Sequence, residues 1–127
     1  MRTGAVRFPA VCDGGVEVSD TILVGEGLET ILSVRTALPH LPVAAALTAS
    51  NLRAFEPPEG LRTLWIAQDA DGPGDRAAKA LAERLSREAP SLSVERLVPE
   101  RGDFNDMLRA MGPRQLARWL RERMRTS

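Results

Sequence analysis

From Thr21 onward the chain alternates short apolar runs with longer stretches in which apolar residues recur at helical spacing. That alternation is the mark of βα units, in which parallel strands are joined by helices that cover the sheet. TILV (21–24) predicts a first strand, and LETILSVRTAL (28–38) a helix stopped by Pro39. VAAAL (43–47) predicts a second strand, SNLRAF (50–55) a short helix capped by Ser50 or Asn51, and PPEG (57–60) a turn. TLWIA (63–67) predicts the third strand. Between Pro73 and Glu88 the residues Ala77, Ala78, Leu81, Ala82 and Leu85 fall on one helical face among arginines, a lysine and glutamates, so this helix packs one side on the sheet. SVERLV (93–98) alternates as a fourth strand. DFNDMLRAM (103–111) and PRQLARWLRERM (113–124) then predict two helices separated by Gly112 and Pro113, the second with an apolar stripe of Leu116, Trp119 and Leu120. Residues 1–19 stand outside the pattern. AVRF (5–8) and GVEV (15–18) flank CDGG, and predict either an antiparallel hairpin on the sheet edge or the remnant of a preceding domain.

Composition narrows the class. A chain of 127 residues with 43% hydrophobic and 27% charged residues is expected to form one globular domain with its own core. Its 17 basic and 17 acidic residues cancel, so no global field draws it to a polyanion, and any nucleic-acid contact is local or comes from elsewhere. Cys12 is the only cysteine and His40 the only histidine, which excludes an internal disulfide and a zinc site built from Cys and His in this chain. A reducing cytoplasm is the simplest setting. The N-terminal stretch has no continuous apolar signal region, and no run approaches the roughly 20 apolar residues that a bilayer requires, so no membrane association is expected.

The chemistry sits where strands end. In IAQDADGPGDR (66–76) an apolar run stops at Asp69 and Asp71, with Asp75 close behind. Like charges this close repel unless a cation or a donor compensates them. Ligands of open α/β sheets bind outside the carboxyl ends of the strands, and that rim also receives Glu26 after the first strand and, after the fourth, Asp103, Asn105 and Asp106 of GDFND (102–106). Side chains two apart on extended backbone share a face, so Asp69 and Asp71 can point at one spot. Glu26 joins them if the first and third strands are neighbours. Carboxylates without cysteine or histidine make a hard-cation site, for which Mg²⁺ or Mn²⁺ is the natural occupant. Each acid also has a structural alternative: Glu26 favouring a helix N-terminus, Asp103 capping a helix with Asp106 as its N3 acid, and DADGPGD forming a solvated turn. An EF-hand loop starting at Asp69 is excluded, because Pro73 would occupy a ligand position and Ala80 the place of the bidentate glutamate.

VGEGLETILS (24–33), IAQDADGPGDRAAKAL (66–81) and GDFNDML (102–108) together resemble the Toprim domain shared by bacterial-type primases, topoisomerases, OLD-type nucleases and recombination mediators. Gly74 with RAAKAL, and the small-residue loop AALTASNL (45–52), make the likeness greatest to the Toprim domains of phage or plasmid primases and primase-helicases. The resemblance runs from about residue 20 to residue 111 and implies a Rossmann-like α/β fold with a mostly parallel four-stranded central sheet flanked by helices, in a domain expected to span residues 20–127 with its C-terminal helices. It also implies residue roles. Glu26 matches the motif glutamate, expected to act as general acid/base or metal ligand. Asp69 and Asp71 match the metal-holding DxD, and Asp103 matches the first acid of a later motif. That later motif departs from the family pattern here, with Asn105 in the second place and Asp106 one further on.

The function implied is Mg²⁺-dependent phosphodiester chemistry on nucleic acid, most simply primer synthesis inside a larger DNA primase that uses nucleoside triphosphates and works with other primase or helicase domains. A Toprim nuclease would use the same acids, and a non-catalytic metal- or DNA-binding module of a replication or recombination protein would keep them. Strand passage by this chain is excluded, because it contains no tyrosine to act as nucleophile. Arg76 and Lys79 are candidate phosphate contacts, beside the alternative that they are solvated surface positions. The neutral balance and the distinct first nineteen residues suggest either part of a longer replication protein or a small Toprim protein that needs partners, and the isolated chain is expected to be inactive.

Overall fold

The computed structural model describes residues 6–8, 20–69 and 73–125. Along the chain run β1 (Val6–Phe8), β2 (Thr21–Gly25), α1 (Leu28–Ala37), β3 (Val43–Ala45), α2 (Ala49–Arg53), β4 (Thr63–Ala67), α3 (Pro73–Glu88), β5 (Ser93–Leu97) and α4 (Phe104–Arg125). The strands predicted from the sequence are therefore β2 to β5. They form the parallel part of a sheet of order β1-β3-β2-β4-β5, and β1 runs antiparallel along the edge of β3, with Val6 opposite Ala45 and Phe8 opposite Val43. The edge position expected for AVRF is thus realised by β1. GVEV, its expected hairpin partner, lies outside the described residues.

Strand alternation sends the two faces of the sheet into two cores. On one face Leu23, Val43, Ala45, Trp65, Ala67 and Leu97 pack with Ile31 and Val34 of α1 and with Phe104, Leu116 and Leu120 of α4. On the other, Val24, Ala44, Leu64 and Ile66 pack with Leu52 of α2, with Phe55, and with Ala77, Ala78, Leu81 and Leu85 of α3. The small residues of α3 let that helix sit close on the sheet. Arg84, on the same helix, donates to the carbonyl oxygens of Phe55 and Arg53, the latter at 3.2 Å, and so ties α3 to the end of α2.

Two sequence expectations are refined. The cap of α2 is Thr48 rather than Ser50 or Asn51, since the helix starts at Ala49 and the Thr48 hydroxyl accepts from the Asn51 amide at 3.0 Å. The Asn51 side chain is used elsewhere, donating to the Ala46 carbonyl at 3.0 Å. The expected separation of two C-terminal helices is a break inside α4, at Gly112 with φ 82° and ψ 167°, a left-handed φ that glycine adopts without penalty. Beyond the break Trp119 returns to the body of the protein, edge-on to Phe104 at 5.8 Å and donating its ring N–H to Glu100 at 2.8 Å. No helix among the described residues is long and apolar enough to cross a membrane.

Chain direction within the sheet decides where a ligand fits. From β2 the chain crosses through α1 to β3 on one side, then returns through α2 to β4 on the other side of β2 and continues outward to β5. The strand order therefore reverses between β2 and β4. Such a switch point opens a crevice at the carboxyl ends of the strands, because the flanking helices leave in opposite directions.

Candidate metal centre

Glu26 and Gln68 are the first residues past the last β2–β4 pair, Gly25 with Ala67, and Asp69 follows at once. The close approach of the two strands requires Gly25, where a Cβ would stand 2.9 Å from the Ala67 carbonyl oxygen and 3.0 Å from Ile31 Cδ1. The backbone of Glu26 is held as well. Its carbonyl accepts from the Leu47 amide at 2.7 Å, and Leu47 keeps this contact at φ 77°, a left-handed conformation that costs a non-glycine residue roughly 1–2 kcal/mol. Strain of this kind is retained where the surroundings over-determine it, commonly at functional sites.

Glu26, Gly27, Thr30, Leu52, Ala67, Gln68 and Asp69 line a pocket of about 80 Å³ at this switch point. The condition set on the sequence is met: β2 and β4 are neighbours, and Glu26 and Asp69 share one pocket. Asp71 lies outside the described residues. Among the described residues no three His, Cys, Asp or Glu side chains form a metal-holding group. The polar side chains of the pocket nonetheless offer oxygen: two carboxylates, the Thr30 hydroxyl and the Gln68 amide. That donor set suits a hard divalent cation, and the volume suits one that keeps several waters.

The remaining acids are placed differently. Asp103 and Asp106 form a reciprocal cap at the start of α4, with the Asp106 amide donating to Asp103 Oδ1 at 2.8 Å and the Asp103 amide to Asp106 Oδ2 at 3.1 Å. Asn105 Oδ1 accepts from the Ser33 hydroxyl of α1 at 3.3 Å. None of these three lines the pocket. Their structural alternative is thus realised, and it sets a test. Asp103→Ala should lower stability by about 1 kcal/mol, whereas Asp103→Asn, an equally good cap, should leave the urea midpoint within a few tenths of wild type.

Asp75, in the first turn of α3, accepts from Gln68 Nε2 at 2.9 Å and from Arg96 at 3.2 Å, both on Oδ1, so it buttresses the pocket from behind. Arg76 and Lys79 are exposed on the same helix. Sequence reasoning missed Gln68. Its signal was a polar residue continuing the buried series Leu64, Ile66, where an apolar one is expected.

A family profile described as Toprim domain matches residues 21–114. The chain belongs to the Toprim family. The matched span runs from the start of β2 into α4 and holds Glu26, Asp69 and the Asp103–Asp106 cap. This Toprim domain also resembles a solved structure, a DNA primase domain from Pseudomonas aeruginosa, with TM-score 0.55 and 19% sequence identity over 73% of the chain. At that identity the likeness shows a shared fold. The chain spans about 30% of the length of that primase domain. Comparison with curated proteins finds no match. The Rossmann-like Toprim architecture expected from the sequence is the one observed, with β1 as an antiparallel edge added to the four parallel strands.

Proposed function

We propose that this Toprim domain is the Mg²⁺-dependent catalytic module of a DNA primase, acting on nucleic acid and nucleoside triphosphates within a larger protein. One observation carries the reading: two carboxylates from two neighbouring parallel strands, Glu26 and Asp69, meet in one oxygen-lined pocket at the switch point of the sheet. The fold shared with a primase domain supports placing that chemistry in a primase.

Asp69, with Asp71, would hold the cation, and Glu26 would complete the set or take the proton from the attacking hydroxyl at its carboxylate. When bound, a divalent cation neutralises the phosphate charge that builds up in an in-line displacement. Thr30 and Gly27, at the start of α1, close the pocket wall. Arg76 and Lys79 would meet substrate phosphates from α3. Asp103 is already engaged as a helix cap, so a second cation there would compete with the start of α4. The proposal therefore assigns one cation to Glu26, Asp69 and Asp71.

The test is template-directed RNA synthesis by the longer protein with Mg²⁺ or Mn²⁺. Primer products support the reading, and cleavage of the template without synthesis would replace it with a nuclease. The 127-residue chain by itself, with a net charge of zero, should bind DNA no more tightly than roughly 10⁻⁴ M at physiological salt, since non-specific affinity comes from phosphate neutralisation by Lys and Arg. Fluorescence anisotropy across a salt series measures this, and tight, salt-sensitive binding would contradict it.

A further inference from the structure

Gln68 is buried, with 6% of its surface exposed, and its oxygen Oε1 has no hydrogen-bond partner among the described residues. Buried polar atoms are nearly always paired, and an orphan acceptor calls for a cause. Turning the amide over would not supply a partner. Nε2 faces Asp75 Oδ1 at 2.9 Å, and a carboxylate oxygen there can only accept, so a flipped amide would set oxygen against oxygen. Arg96 also donates to the same Oδ1, at 3.2 Å. The direction of Oε1 is thus fixed by a chain of contacts, Arg96 to Asp75 to Gln68, that begins on β5 and passes through α3. Gln68 lines the pocket shared by Glu26 and Asp69.

We propose that Gln68 is an uncharged cation-binding group of this pocket, whose Oε1 is held in place by Asp75 and Arg96 to receive a hydrogen bond from the water shell of a divalent cation. The inference rests on the metal reading given above. A neutral oxygen suits the position, because a third carboxylate beside Glu26 and Asp69 would add repulsion in the empty pocket, while an amide oxygen adds none. Asp75 and Arg96 act through Gln68 and are positioning residues.

The experiment measures Mn²⁺ affinity by electron paramagnetic resonance, and thermal stability without metal, for wild type, Gln68→Met and the double variant Gln68→Glu with Asp75→Asn. Methionine keeps the length of the side chain and removes both polar atoms. The proposal expects Mn²⁺ affinity to fall about 10-fold in Gln68→Met, with the metal-free melting temperature unchanged or raised, as removal of an orphan acceptor predicts. The double variant exchanges donor and acceptor across the 68–75 contact and keeps an oxygen in place of Oε1, so its Mn²⁺ affinity should return at least to the wild-type value. Equal affinity in wild type and Gln68→Met would overturn the proposal and leave the metal reading standing. A lowered metal-free melting temperature in Gln68→Met, or no recovery in the double variant, would show that Gln68 serves the fold instead. If wild type itself binds no Mn²⁺, the metal reading fails first and the proposal with it.

Discussion

Glu26→Gln in the longer protein should lower the rate of primer synthesis by roughly 10²–10⁴-fold, the usual share of a positioned acid or base, while DNA affinity stays within experimental error of wild type. The substitution keeps the shape of the side chain and the backbone contact from Leu47, so the pocket wall is preserved. What is lost is a negative charge and a proton acceptor just past the last β2–β4 pair. The candidate phosphate contacts, Arg76 and Lys79, stand on α3 and are untouched by the change. Single-turnover synthesis and a DNA titration on the same preparation separate the two quantities. Full activity after Glu26→Gln would remove Glu26 from the mechanism.

Gly25→Ala should destabilise the domain by about 1–3 kcal/mol, the typical cost of forcing a methyl group into a packed interior. The nearest atom the new Cβ would meet is backbone, the Ala67 carbonyl oxygen at 2.9 Å, so relief requires β2 and β4 to move apart. Those strands carry Glu26 and Asp69, and weaker Mn²⁺ binding should accompany the loss of stability. Gly27→Ser is the control. A Cβ at Gly27 meets only Thr30, at 3.8 and 4.0 Å, and a serine there offers α1 the side-chain cap it lacks. Urea denaturation of the two variants should therefore show a clear decrease for the first and none for the second.

Much of this was legible from residue pattern. β4 and α3 fall on the residues predicted, because TLWIA carries an unbroken apolar run from Leu64 to Ala67 between polar residues, and because Pro73 pre-sets the backbone of a helix start. The acids were found by one rule, that ligands sit at the carboxyl ends of parallel strands. The pattern did not contain strand order. Nothing local in TILV or TLWIA says that they are neighbours, and only the reversal at β2–β4 brings Glu26 to Asp69. Nor could spacing divide the acids by role. Asp69 and Asp75 stand six residues apart, yet one lines the pocket and the other turns to Gln68 and Arg96, because Asp75 has entered the first turn of α3. Asp103 and Asp106 read equally as ligands or as a cap. The two short amide-to-carboxylate contacts place them in the cap.

Crystals of the domain soaked in Mn²⁺ would reveal a divalent cation bound between β2 and β4. An anomalous peak is expected in the pocket lined by Glu26, Thr30, Gln68 and Asp69, absent from Asp69→Asn crystals treated in the same way. Affinity in the isolated domain should be weak, since such cations keep several waters and borrow ligands from substrate phosphates. An empty pocket at saturating Mn²⁺, with both carboxylates unobstructed by neighbouring molecules, or a peak at the Asp103–Asp106 cap alone, would contradict this cation site.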